Sequence, residues 1–592
     1  MLMILLGKII KAVFFGLMIL LLLNSNSTIA NPIMANEYNP NSTNISDWVW
    51  GDITTVSTES ISYSSDSNIA VDSSNNVHIV WYDHSDYNGA GIDIDIFYKK
   101  FDATTSTWGS VTILSSESTQ SSYLPKMVID SHDNIHVVWS DYTDYSGAGV
   151  DADIWYKKFN SVTNTWGSAV VVSTESDLNS HEPGITVDQN DNVHIVWYDN
   201  SNINYAGTDF DVLYKRFDTS TSTWTETTVV SYLSTGDSGS PSITTDSRNN
   251  VHVVWTDYTD IYGAGTDKDI FYRRLDGATL YWGNIELVST SSTDTVNSAR
   301  IAVDKLDNIH IVWSDNTDLY GAGIDQDIHY RKLFASTSTW GGTIILSTES
   351  ISASYHAYLA IDDANNVYVV WVDRLSIYSD IVYKVYNAAS YQWSDLGVVI
   401  QDSDGYSEHT SIAVDNSGFV HVSWTDTYDV TNTGNDRDVY YRKLSGRAFT
   451  PVLHQITPNP TDDNVGITWS SVAGAVAYNL YRDDKPIYSV EGMTAYATVN
   501  TTHYIDNFDQ SGFYYYVITA NNSIGVSDMS NMVSARVEIP IDAHQSIITE
   551  NSLLIEATDG GFVSFPGVWF GAFFITTMLI RKKQSKRNNK SS

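Results

Sequence analysis

A string close to NVHIVW recurs along this chain and places tryptophans at Trp81, Trp139, Trp197, Trp255, Trp313, Trp371 and Trp424. Five of the intervals are 58 residues and the last is 53. A period of that length marks a repeat array, in which each unit buries its apolar surface against the next. Each unit holds four strand-like runs separated by turn residues; in the second they are LPKMVID, NIHVVWSD, DIWYKKF and TWGSAVVVS. No helical period runs through the units. The expected fold class is all-β, and four antiparallel strands in each of seven units predict a seven-bladed β-propeller over 47–448.

A second tryptophan series tests that reading. The outer strand of a unit opens at Trp108, Trp166, Trp224, Trp282, Trp340 and Trp393, but the seventh unit ends after YYRKL without one. Trp50 lies 58 residues before Trp108, ahead of the first inner strand. The N-terminal strand is therefore expected to complete the last blade, which would remove an exposed sheet edge.

The pattern S…P.I.VD..NNVHVVW.D…DI.Y…F…TW resembles the BNR/sialidase-like propeller superfamily, and turns such as FDATTSTW look like degenerate Asp-boxes. The resemblance implies the fold, and places ligands on the face shared by the loops after the second and fourth strands. It does not fix an activity, because such folds host unrelated ones. Residues 452–539 resemble a fibronectin type III domain, with Trp469 on its second strand and a tyrosine-corner candidate among Tyr514, Tyr515 and Tyr516. Such a domain would serve as a spacer.

The ends of the chain give an address. Residues 1–30 read as a signal peptide, with Lys8 and Lys11 before an apolar core and Thr28-Ile29-Ala30 at the cleavage site; a retained anchor is the alternative. A linker fills 31–46 and a stalk 540–560. Residues 561–580 are apolar over about the ~20 residues a membrane-spanning helix needs. A basic tail, 581–592, follows and would lie in the cytoplasm. FPGVWFGAFF and the tail resemble C-terminal sorting signals of prokaryotic surface proteins. The expected location is the cell membrane, single-pass, with the bulk extracellular. Asn41, Asn44, Asn500 and Asn521 are glycosylation candidates. The chain has no cysteine, which excludes disulfides, thiolate metal sites and cysteine nucleophiles.

With 70 acidic against 32 basic residues the net charge is −38, which argues against a nucleic-acid partner. The acid is concentrated: the seven connections from the second to the third strand hold 25 aspartates, with Lys268, Arg374 and Arg437 as their only cations. Two series recur in every unit, Asp83 with its equivalents and Asp95 with its equivalents, and read as framework accepting bonds at strand ends. A third group disappears in the sixth unit, which lacks the GAG segment. Asp86, Asp93, Asp144, Asp151, Asp209, Asp260, Asp267, Asp318, Asp325, Asp429 and Asp436 are therefore the candidate metal ligands. Calcium, which takes about 6–8 oxygens, is the one cofactor these loops suggest. The competing reading is a solvated acidic rim. His78, His136, His194, His252, His310 and His421 share one strand position and read as packing residues, because blades stand ~10 Å apart and zinc ligands must meet at ~2 Å.

No catalytic residue is assigned. Sialidase chemistry would need an arginine triad, and Lys126 and Arg300, near the start of inner strands, stand as isolated cations; an acidic mouth would also repel an anionic sugar. Glu182, Arg374, Glu408 and His409 break the repeat and are the candidate ligand-binding residues. The reading favoured is a surface binding or adhesion protein for an extracellular glycan or protein. The alternative is a glycoside hydrolase acting on a neutral glycan.

Overall fold

The structure, a computed structural model, describes residues 49–539 apart from 90, 324, 375–377, 401–404, 428–435, 447, 458–463, 473 and 523. The expected signal peptide, stalk, membrane helix and tail, and Asp429, lie outside the described residues. Among the described residues the fold is all-β, with a single helical turn at Ile203–Tyr205.

Seven sheets follow the sequence repeat. In the first, Ser64–Val71, Val77–Asp83 and Asp95–Asp102 pair in order, and the outer strand is split into Thr107–Trp108 and Thr112–Ile113, both on the third strand. The second strands (Val77–Asp83 and its equivalents) are buried along nearly their whole length, because each sheet is covered on both faces by its neighbours. All seven of their tryptophans are at most 1% exposed.

The sheets close on themselves in a propeller-like ring. Val49–Trp50 pairs antiparallel with Leu444 and Ser445, supplying the outer strand of the seventh sheet. A tyrosine on each third strand meets, edge-on, the outer-strand tryptophan of the next sheet, at centroid distances of 5.1–5.5 Å: Tyr98 with Trp166, and on around to Tyr383 with Trp50 and Tyr441 with Trp108. Trp50 thus fills the position its spacing predicts. At the turns after the inner strands, a backbone N–H reaches the next sheet's turn: Ser73 donates to Asp133, and Asn416 of the seventh sheet returns to Asn75 of the first. Six of the seven such links form; Gly418, with no side chain, stands where the other would be. Inside the ring, Ser67 and Ser423 hydroxyls lie 2.9 Å apart across the first and seventh sheets.

After the ring come two smaller sheets. Asn464–Thr468 pairs with His503–Asn507, and a four-stranded sheet runs in the order Ala497–Val499, Ala477–Asp483, Gly512–Asn521, Val533–Val537. Trp469 is buried edge-on against Tyr478. The Tyr514 hydroxyl lies 3.3 Å from the Gln510 carbonyl.

Candidate functional site

The inner strands carry the feature that makes a site. All seven lose register at the same place, between their second and fifth residues, as at Ser65/Asn68. The bulged residue there is left-handed in every sheet, with φ between 44° and 55°: Asp66, Leu124, Glu182, Ser240, Ser298, His356 and His409. None is glycine, so each pays backbone strain to carry a side chain, and a bulge re-aims that side chain. Two residues on stand Asn68, Lys126, Gly184, Ser242, Arg300, Tyr358 and Ser411. These fourteen positions line one cavity of about 380 Å³ at the axis of the ring. The scaffold repeats; this lining does not.

Its charges are arranged in two groups. His409 Nδ1 lies 2.7 Å from Asp66, and His356 stacks on His409 at 5.4 Å. Burial works against the Asp66 carboxylate, but the His409 hydrogen bond and charge outweigh it and hold its pKa below the usual value. Burial likewise opposes the His409 cation, and Asp66 overcomes it, raising its pKa. Burial, then the charges of His409 and Arg300, push His356 down to about 4, so it is neutral. The second group is cationic. Arg300 donates to the Tyr358 hydroxyl at 3.1 Å and lies 4.6 Å from that ring's centroid, with the Lys126 ammonium 5.9 Å from the same centroid. Burial would raise the Tyr358 phenol, yet Arg300 and Lys126 dominate and bring it down to about 8. Glu182 accepts from Ser240 at 2.9 Å.

Of the residues singled out in the sequence, Glu182 and His409 line this cavity. Glu408, beside it, is held 3.0 Å from Arg437. Arg374 does not line it, and its exposed guanidinium lies 5.5 Å from the Tyr355 ring. Lys126 and Arg300, isolated in sequence, converge here from the second and fifth sheets. Nothing in the sequence pattern alone marks Asp66, His356 and Tyr358; aligning the inner strands at one offset, where Asp, Leu, Glu, Ser and His alternate, gives the one signal of them.

The loop aspartates divide into two kinds. Asp86, Asp144, Asp260 and Asp318 are exposed, and each accepts the N–H of the glycine five residues on, at 3.2–3.3 Å. They close turns. Asp93, Asp151 and Asp267, like Asp209, are half-buried, with Oδ2 shielded from solvent and unpartnered; Asp325 and Asp436 are half-buried too. Among the described residues, no three of these carboxylates come within reach of one ion. Among the described residues, three ligand atoms come within reach of one ion at Asp130, His132 and Asp191. Asp130 there is already committed, to the His132 and Asn134 N–H groups at 2.9 Å, the Asn134 amide at 2.8 Å and His136 at 3.1 Å.

The two recurring aspartate series also differ. Asp83 accepts Ser64, Ser60, Trp81 and the Ser85 N–H, using both oxygens. Asp95 accepts Ser115 on one oxygen at 2.6 Å, while its other oxygen is buried without a partner. Burial first, then Asp93 and neighbouring aspartates, raise it to about 6; Asp153 and Asp211 reach about 7. The repeated histidines are packing groups in hydrogen-bonded chains, with His78 2.7 Å from the Tyr98 hydroxyl and 3.2 Å from Asp72.

No family model matches the chain, and no curated protein matches it. Among solved structures it is similar to a fungal alcohol oxidase of the AA5 family in complex with copper (13% identity, 83% of this chain and 99% of that one, TM-score 0.45). It is also similar to a PL25 ulvan lyase (9%, 64% and 94%, 0.44) and to the intramolecular trans-sialidase from Ruminococcus gnavus (11%, 67% and 97%, 0.35). Likenesses of this strength assign no activity.

Proposed function

We propose that the axial cavity binds a carboxylate-bearing glycan, and that the protein is a surface receptor for it. The observation that carries this reading is the convergence of Lys126 and Arg300 on Tyr358 at the axis, where the lining does not follow the sevenfold repeat. A guanidinium beside an ammonium suits a carboxylate. Serines 240, 242, 298 and 411 and Asn68 around the same cavity suit a polyhydroxylated ring, and about 380 Å³ lies within the ~300–1,000 Å³ usual for small-ligand sites. The sequence expectation that acid in the loops would exclude an anionic sugar is revised on this ground: the axis carries its own cations.

The rest of the chain fits that role. The N-terminal segment exports it, 561–580 anchors it as a single-pass membrane protein, and the 452–539 segment acts as a fibronectin type III-like spacer. Trp469 packed on Tyr478, and the Tyr514 hydroxyl reaching a carbonyl four residues upstream, support that assignment. A hard divalent cation is the cofactor of the loop face.

A second reading, cleavage of the bound glycan, is favoured by Tyr358, whose phenol at about 8 can exchange a proton near neutral pH. One experiment addresses both. The full chain is titrated with uronate-containing and neutral oligosaccharides, and the mixtures are then analysed for shortened products. Binding of the uronates alone, weakened tenfold or more in Arg300→Gln and Lys126→Gln, supports the receptor reading; products lost in Tyr358→Phe support cleavage. Equal binding of neutral sugars, or variants that bind as wild type, would overturn the assignment of the cavity.

A further inference from the structure

We propose that the aspartate pair opening the third strand of each of the first four sheets, Asp93 with Asp95 and its equivalents, holds one divalent cation of the calcium class. This rests on, and deepens, the reading of a hard cation on the loop face, and is independent of the axial cavity.

Acid in a loop is common and means little alone. What distinguishes these pairs is that Oδ2 of both members is shielded from solvent and has no hydrogen-bond donor in each of the first four sheets, Asp93/Asp95, Asp151/Asp153, Asp209/Asp211 and Asp267/Asp269; in the fifth, Asp327 Oδ2 is buried in the same way. The second member is 2%, 1%, 2% and 1% exposed in turn. Its other oxygen is fixed by a serine hydroxyl, from Ser115, Ser173, Ser231 and Ser289, at 2.6–2.7 Å. The serine fixes the carboxylate through one oxygen and leaves the other buried without a donor. Glycine supports the first member: a Cβ on Gly91 or Gly149 would collide with the carboxylate of Asp93 or Asp151, which folds back over it at φ of 119° and 128°.

A buried carboxylate oxygen without a donor is costly, and two together cost more. Either a shared proton or a cation resolves the conflict. Among the described ion pairs, none joins these eight aspartates to a lysine or arginine, and Lys268, between two of them, instead faces the Tyr258 ring at 5.1 Å. Further aspartates crowd each pair, which favours a divalent ion over one proton. The sixth sheet is an internal control: its short connection DRLSIYSD places Tyr378 where the first aspartate would stand. Carboxylates with neither histidine nor cysteine form a hard, all-oxygen donor set, which selects calcium over zinc.

The test is a calcium titration of the full chain after stripping with EGTA, read by calorimetry and by elemental analysis. Four equivalents are expected, with a melting temperature higher in calcium than in EGTA. The double variant Asp93→Asn/Asp95→Asn should bind three, and in EGTA should melt no lower than wild type, because a repulsion has been removed. The same pair of substitutions at Asp267 and Asp269 repeats the count should the first variant not fold. No bound calcium, or a count unchanged in both variants, overturns the proposal and leaves the shared proton.

Discussion

His78 shows how a polar side chain becomes framework. Its ring is buried between the Tyr98 hydroxyl and the Asp72 carboxylate, so a neutral imidazole accepts from one and donates to the other. Burial lowers the His78 pKa more than Asp72 raises it. A group whose folded pKa lies below its unfolded value contributes stability that is complete above the unfolded pKa, 6.5, and is lost as pH falls through the folded one. His136, His252, His310 and His421 shift the same way for the same leading cause. Replacing His78 by Gln should therefore cost about 2 kcal/mol at pH 7.5, by leaving buried partners unmatched. The gap to wild type should narrow as the pH drops below 6.5, when the native histidine itself becomes a liability. Denaturant titrations at pH 7.5, 6.0 and 5.0 read both numbers; a gap that widens on acidification would contradict the neutral assignment.

At the scale of the strand, the closing element is the one most exposed to test. Val49–Trp50 is two residues long, yet Trp50 pairs with Leu444, meets Tyr383 edge-on at 5.5 Å and lies under the Arg442 guanidinium at 5.7 Å. Trp50→Ala should cost about 3 kcal/mol, at the lower end for a large-to-small change because the residue is only half-buried. The equivalent change at Trp108 should cost a similar amount, since it packs on Tyr441 in the same way at 5.4 Å. Equal losses would show that the closing strand is as integral as any other; a Trp50→Ala melt unchanged from wild type would show that it is not. This closure was legible in the sequence, because a 58-residue interval survives whatever lies between. The inner-strand bulge was not. A left-handed residue usually announces itself as glycine or asparagine, and here the seven positions hold Asp, Leu, Glu, Ser, Ser, His and His. Their side chains matter more than their backbone preference, so composition conceals the turn.

Over the whole molecule, repetition and its failure divide the work. The tryptophans, the Asp83 series and the inter-sheet tyrosines repeat seven times, and the buried histidines six, because each solves the same packing problem in successive sheets. The axis has no such problem to solve, and there the chain places Asp66, Lys126, Glu182, Arg300, Tyr358 and His409 once each. That division explains what sequence could and could not supply. Glu182 and His409 stood out as departures from the pattern, but their meeting with Lys126, Arg300 and Tyr358 required the ring, which brings residues more than 300 positions apart to one cavity. Loop acid, conspicuous by number, proved to be two different things: turn closure at Asp86 and its equivalents, and buried unpartnered pairs at Asp93 and Asp95. The most direct test of the central claim compares one acidic oligosaccharide with its carboxyl-reduced form, which keeps the size and loses the charge, by calorimetry on the full chain. The account predicts that the acid binds at least tenfold more tightly and that Arg300→Gln abolishes the difference. Equal affinity for the two forms, or a difference that survives the substitution, would contradict it.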